Sequence, residues 1–267
     1  MSETPKVVQP TWRSNVDIGY HQMLNVYGGE EDNDALKKAK SEYGFACQAF
    51  KKSSSLQKCS AESIQNAIVN IARTSLTLNP VMQLAYLIPR KNNCTLEISY
   101  RGMVKLLKDA KAIHHIEAYM VFEDEEYSFD PATNTLIHKP TYAKTESEHN
   151  KRAIHGCYTR AVLTSGIISF CFMPFWELEK VRETSSNKDG GVWRQWRDEM
   201  YKKTVVKRHS KTLMTDQPQL LTAMQLDNEN NGFSNQPKSR ISQAIENAVL
   251  ITEQDDGKEL NDPNVLF

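Results

Sequence analysis

Between Leu36 and Phe50 apolar residues recur every three or four positions: Leu36, Ala39, Tyr43, Ala46, Cys47 and Phe50. That spacing predicts a helix over about 33–52, entered from the polar turn Gly-Gly-Glu-Glu-Asp-Asn-Asp. A second stripe, Ile64, Ala67, Ile68, Ile71, Ala72 and Ser75, predicts a helix over about 60–76. Ser60 is placed to cap it, and Asn79 before Pro80 is placed to end it, because a residue preceding proline is pushed out of the helical region.

The period then shortens. Leu-Ala-Tyr-Leu-Ile-Pro (84–89) and Cys-Thr-Leu-Glu-Ile-Ser (94–99) read as strands joined by the polar turn Arg-Lys-Asn-Asn. A short helix follows over 100–111, with Met103, Val104, Leu106 and Leu107 on one side and lysines on the other. Residues 115–172 read mostly as strand, in runs at 116–122, 127–130, 135–140, 153–164 and 167–174. Helix restarts at Pro174, a polar loop covers 185–191, and another helix is expected over 193–211.

The two ends differ from this middle. The first twenty or so residues carry Pro5, Pro10 and Gly19 with little periodicity, so residues 1–30 are expected to form a loose arm. From about 225 the chain turns polar and acidic. Only Ile241, Ala244, Ile245, Ala248 and Val249 keep helical spacing there. The prediction is an α+β fold: an antiparallel sheet with a hairpin and packed helices, flanked by N-terminal helices and a disordered acidic C-terminal tail. The body spans 31–222 and the tail 223–267.

Composition excludes several classes. No run approaches the roughly 18 apolar residues of a membrane span, and the N-terminus lacks a basic-then-apolar signal pattern. The five cysteines are scattered, form no C-x-x-C, and are odd in number. They are expected to be reduced thiols in a cytoplasmic protein rather than disulfides or a zinc site.

The formal charge of zero hides a segregation. Residues 193–211 hold seven Lys or Arg against two acids, a net +5, while residues 225–267 sum to −5. On a helical wheel Lys203, Lys207 and Lys211 flank one side of a stripe formed by Trp193, Trp196, Met200 and Thr204, and Arg194, Arg197, Tyr201 and Arg208 flank the other. Cations at one-turn spacing can track a phosphate backbone, although a solvated helix face has the same composition. The apolar face drifts to Val206 and Leu213, so either the helix bends or its halves pack on different partners. Trp193 and Trp196 can stack on bases or anchor the helix; with Met200 on the same stripe they read as structural anchors. A second basic group, Arg90, Lys91, Tyr100, Arg101, Lys105 and Lys108, surrounds Gly102, where a backbone or a ligand can approach closely.

Catalytic patterns are absent. There is no phosphate-cradling G-x-x-x-x-G-K-[ST], and no Ser/His/Asp or Cys/His arrangement has supporting context. The acidic run Glu123, Asp124, Glu125 and Glu126 is the one candidate for Mg²⁺, and such runs are also ordinary solvated turns.

Four stretches in unbroken order, LTLNPVMQLAYLIPR, LEISYRGMVKLLKDA, VFEDEEYSFD and WRQWRDEMYKKTVVKR, resemble the RecT family of phage and prophage single-strand annealing proteins. The resemblance covers about residues 60–212. It departs at Ser99, where the family has glycine, and at His209 and Ser210, where the family is apolar. It implies ATP-independent binding of single-stranded DNA and annealing of complementary strands in recombination. It further implies a homo-oligomeric ring or filament, a partner exonuclease, no catalytic residue and no cofactor beyond Mg²⁺ as a counterion. It points to Tyr100, Arg101, Lys202, Lys203, Lys207 and Arg208 as DNA contacts, to which Lys105 and Lys211 are added on charge. Two other readings stand beside it: a binder that covers single-stranded DNA or RNA without annealing it, and a Mg²⁺-dependent nuclease built on the acidic run.

Overall fold

Helix α1 (Trp12–Tyr27) begins where the Thr11 side chain accepts a hydrogen bond from the Ser14 N–H. It lies within the segment expected to be a loose arm. The computed structural model describes residues 11–185, 188–213 and 216–230, so residues 1–10 and the amphipathic piece at 241–249 fall outside the described residues. Helix α1 forms because Val16, Tyr20, Met23, Leu24 and Tyr27 make a stripe against the body, a periodicity that the neighbouring prolines obscure. Gly19 brings it close to the fourth helix: a Cβ there would stand 2.9 Å from the Ile68 Cβ. The Trp12 ring stacks on Phe50, and the Tyr43 hydroxyl donates to Asp17 at 2.6 Å.

Helix α2 (Asn33–Lys52) starts at Asp32, whose carboxylate accepts from the Asp34 and Ala35 N–H groups. A single turn, α3 (Ser54–Gln57), leads to α4 (Ala61–Thr74), whose Ile64, Ala67, Ile68, Ile71 and Ala72 are buried as the pattern predicts. Ser60 occupies the capping position without making a side-chain cap; its hydroxyl donates to Asn93 instead. The helix stops at Ser75, in the left-handed region at φ 52°, before the expected Asn79 and Pro80. Beyond it the buried Glu42 carboxylate accepts from the Thr77 hydroxyl (2.5 Å) and the Leu78 N–H (2.8 Å), which draws the chain off the helix axis.

Strands β1 (Ala85–Arg90) and β2 (Asn93–Ile98) form the expected hairpin, with Arg90 opposite Asn93 and Lys91 left-handed in the turn. Helix α5 (Tyr100–Asp109) follows at once. Next come β3 (Ile113–Phe122), the small hairpin β4 (Glu126–Asp130) and β5 (Thr135–Lys139), and the short helix α6 (Glu146–Lys151). Strands β6 (Ile154–Leu163) and β7 (Ile168–Pro174) complete an antiparallel sheet in the order β3-β6-β7, with Tyr119 opposite Tyr158 and Tyr158 opposite Phe172. The chain ends its described part with α7 (Phe175–Thr184), α8 (Gly191–Gln195), α9 (Arg197–Thr212) and α10 (Pro218–Asn230). The fold is α+β, as the patterning predicts.

Two hydrophobic cores result. One joins the N-terminal helices, the first hairpin and α5. The other fills the space between the three-stranded sheet and α7–α9, around Met120, Cys157, Met173, Leu178, Trp193, Tyr201 and Val205. The opposite face of that sheet carries the β4–β5 hairpin, with Tyr127 stacked on Phe172 at 5.1 Å and Phe129 edge-on to Phe170 at 5.7 Å. Residues Met1–Asp227 form one unit; of the second, Asn228–Phe267, only the last turn of α10 is described. Helix α10 therefore runs through the boundary drawn at 222–223.

Candidate nucleic-acid interface

The tryptophan pair splits. Trp193 is 7% exposed and packs on Tyr201 with ring centroids 5.7 Å apart. Eight residues of continuous helix would separate their backbones by about 12 Å. The helix expected over 193–211 instead breaks at Trp196 (φ −127°, ψ 39°), which folds α8 back and brings the two rings together. Trp193 is thus a core anchor, with the half-buried Met200 packed against the same cluster. Trp196 is 58% exposed and corrects the expectation that it is structural.

Helix α9 lies across the sheet, and β3 is an edge strand. Between them runs a groove of about 330 Å³. Residues 116–119 of β3 line one side, Glu199, Lys202, Lys203 and Val206 of α9 the other, and Tyr100 closes one end. A second hollow of about 240 Å³ shares Tyr100, Ile116 and Val206 and adds Arg101 and Val104.

The end of the groove is fixed by Ser99 and Gly102. Ser99 caps α5: its hydroxyl accepts from the Gly102 N–H at 3.0 Å and donates to the Gln83 carbonyl at 2.7 Å. A Cβ on Gly102 would lie 2.4 Å from the Leu84 carbonyl oxygen. The glycine therefore admits a backbone rather than a ligand, and seats the first turn of α5, with Tyr100 and Arg101, against β1.

Of the eight expected contacts, the structure brings Tyr100, Arg101, Lys202 and Lys203 together. Lys202 pairs with Glu199 at 2.9 Å. Lys203 makes no side-chain hydrogen bond or ion pair among the described residues. Burial and the neighbouring Lys207 ammonium push its amine down from the usual lysine range, against the opposing pull of Glu97 and Asp227. Arg101 is exposed and has no carboxylate partner among the described residues. Lys203 in the groove and Arg101 in the adjoining hollow are thus cations without an ion-pair partner among the described residues.

The other four do not line it. Lys207 is 13% exposed and donates to Glu97 Oε1 at 2.9 Å and Asp227 Oδ1 at 2.7 Å. Lys211 reaches the other Asp227 oxygen at 2.6 Å. Arg208 pairs with Glu177 of α7, and Lys105 with Asp109 one turn along α5. The three on α9 tie elements of the fold together, which no reading of α9 alone can reveal, because their partners lie 16 to 110 positions away in sequence. The groove residues missed at the sequence level, Glu117, Tyr119 and Glu199, carry no basic or aromatic-cluster signal that separates them from an ordinary strand or helix face.

The acidic run is engaged elsewhere. Asp124 and Glu125 hold Arg152 at 2.7 and 2.9 Å, Glu126 holds Lys139 at 2.6 Å, and Glu123 faces His155 at 3.3 Å. Glu125, 2% exposed, also accepts from the Phe122 and Thr141 N–H groups and meets His138 at 3.1 Å. Burial alone would raise its pKa; these donors hold it below the usual carboxylate range. Among the described residues no cluster of three His, Cys, Asp or Glu is placed to hold a metal ion. The run is a latch fastening the β4–β5 hairpin to the sheet. No described helix is long and apolar enough to cross a membrane.

A family model described as the RecT family matches residues 44–240. The chain is also 30% identical over 177 residues to Protein RecT of Escherichia coli (strain K12), a match that covers 63% of this chain and 64% of that protein's length.

Proposed function

The chain belongs to the RecT family, and from that premise we propose that the α9–β3 groove binds the phosphates of single-stranded DNA and that the protein anneals complementary strands in recombination. The observation that carries this reading is a pair of cations without ion-pair partners among the described residues, Lys203 in the groove and Arg101 in the adjoining hollow, with Lys202 and Tyr100 beside them. A lysine held in a partly dry site, beside a second ammonium and in ion-pair contact with no carboxylate among the described residues, gains most when a phosphate arrives. Backbone contacts of this kind carry no sequence information, so pairing is left to the bases.

Annealing makes and breaks no covalent bond. It needs neither a catalytic residue nor a nucleotide or metal cofactor, and Mg²⁺ acts as a counterion. What limits it is encounter between two polyanions, which a row of cationic grooves relieves by neutralising phosphates and concentrating strands. A homo-oligomeric ring or filament supplies that row. A partner exonuclease supplies the single strands, in the cytoplasm of a bacterial host.

The test is a salt titration with a thymidine oligonucleotide, paired with a strand-annealing assay. Lys203→Ala and Arg101→Ala should each lower the log–log salt slope by about 0.7 and slow annealing, with folding intact. Unchanged slope and rate in both folded variants would sink the assignment. Binding by the native protein without faster pairing of complementary strands would leave a covering protein rather than an annealing one.

A further inference from the structure

We infer that Trp196 is a base-stacking platform at the mouth of the groove, taking the face of an unpaired base in the strand whose phosphates lie on Lys203. This rests on the phosphate reading of the groove and adds the part of the ligand that reading leaves unassigned.

Trp196 is 58% exposed, three positions from a tryptophan that is almost completely buried. Tryptophan is strongly buried on average, so an indole left in water beside one that is not has a cost that packing does not explain. Its ring makes no aromatic contact, and its N–H no hydrogen bond, among the described residues.

Its position in the fold is specific. Trp196 is the residue that precedes α9; continued back to it, the helical wheel sets position 196 on the stripe of 199, 203 and 206, and these three line the groove. Trp196 stands at the helix start, one turn beyond Glu199, and its carbonyl accepts from the Met200 N–H at 3.0 Å. The stripe from Trp196 to Val206 is about 15 Å long, room for a short run of nucleotides. The backbone under the indole is held on both sides: Trp193 is buried before it and Tyr201 after it, in contact with each other. The platform is therefore set before a ligand arrives, which lowers the ordering cost of binding.

The ligand chemistry follows from the combination. Cations in a groove attract any polyanion, single or double stranded. An indole face at its mouth discriminates, because a base inside a duplex is already stacked on both sides, whereas every unpaired base offers a free π-face. Stacking by the face leaves the Watson–Crick edge open, so the stacked base can still meet a complementary strand.

The experiment compares a thymidine oligonucleotide with an abasic oligomer of equal length and phosphate number, binding the native protein, Trp196→Ala, Trp196→Phe and Lys203→Ala. The native protein should prefer the thymidine oligomer by roughly 5- to 100-fold. Trp196→Ala should lose most of that preference at an unchanged salt slope, Trp196→Phe should keep part of it, and Lys203→Ala should keep the preference while its slope falls. A native protein that binds both oligomers alike, or a folded Trp196→Ala that keeps the full preference, overturns the stacking role and leaves the phosphate reading standing. A Trp196→Ala that keeps the preference but loses mass in light scattering assigns the indole to a contact between copies of the chain, and also overturns it. Binding to neither oligomer overturns both readings.

Discussion

Lys207 of α9 and Asp227 of α10 meet at 2.7 Å, and Asp227 is 1% exposed. Lys211 holds the second oxygen of the same carboxylate, and Glu97 of β2 holds the other side of Lys207. Burial disfavours charge on each group, but attraction prevails: Asp227 and Glu97 sit below the usual carboxylate range and Lys207 above the usual lysine range. The first acid of the segment read as a tail is thus built into the body.

That network changes where the chain can be cut. Removing one member of a buried, multiply bonded charge group leaves the others uncompensated, a loss of about 3–5 kcal/mol. Asp227→Ala should lose stability on that scale in urea unfolding, and ending the chain at residue 224 should do the same. Ending it after residue 230 keeps Asp227 and should retain native stability and strand annealing. A Lys207→Ala variant that weakens DNA binding is accordingly no measure of a phosphate contact unless its stability is restored. Native stability in Asp227→Ala would show that the network is dispensable.

Acid should weaken the fold through His209. This residue is buried, with Nδ1 2.8 Å from the Thr159 hydroxyl and Nε2 3.0 Å from the Ser169 hydroxyl, and burial lowers its pKa from 6.5 to about 4. The folded chain binds the proton less well than the unfolded one, so stability is full above the unfolded pKa. It falls as pH drops from about 6.5 towards 4, by about 3 kcal/mol over the window. Asp227 and Glu97, both depressed, add losses of the same sign at lower pH. Urea midpoints measured from pH 7.5 to 4.5 should fall, and the fall should be shallower in His209→Gln. Parallel curves for the two proteins would exclude His209 as the cause.

The two tryptophans should separate in stability as they do in exposure. Trp193→Ala removes a buried ring from the second core and should cost about 3–5 kcal/mol, while Trp196→Ala should stay within about half a kcal/mol of the native protein. Thermal unfolding of the pair decides it. A large loss on replacing Trp196 would mean that the indole carries packing after all.

Which of these features the sequence discloses depends on how far away their causes lie. Helices α2, α4 and α5, the first hairpin and the strands of the sheet are legible because each buries one continuous face, and a local period records it. Helix α1 is obscured because its stripe includes Gly19 and follows two prolines. The break at Trp196 leaves no Gly or Pro behind; its cause is a ring contact between Trp193 and Tyr201. The basic stretch falls on the helix that lines the groove and includes Lys202 and Lys203, which border it. It cannot tell these from Lys207, Arg208 and Lys211, because a sequence counts charges without showing which are neutralised across the fold.

Gly102 tests whether the groove's end is built by backbone packing. The Tyr100-Arg101-Gly102 triplet invites the reading that all three residues meet the ligand, yet the space opposite Gly102 is filled by the Leu84 carbonyl, 2.4 Å from where a Cβ would stand, with Ile98 at 3.1 Å and Leu76 at 3.3 Å. None of these can yield cheaply, since the closest is backbone held by the Ser99 N–H at 3.0 Å. Gly102→Ala must therefore lift the start of α5 off β1, an overpacking loss of about 1–3 kcal/mol. It should also move Tyr100 and Arg101 and so weaken oligonucleotide binding. Gly44 supplies the control: it sits inside α2, a Cβ there would meet nothing within 4 Å, and Gly44→Ala should stabilise the protein by about 0.5–1 kcal/mol with binding unchanged. Opposite signs for the two substitutions are expected in urea unfolding. A Gly102→Ala variant as stable as the native chain, but defective in binding, would return the glycine to the ligand site.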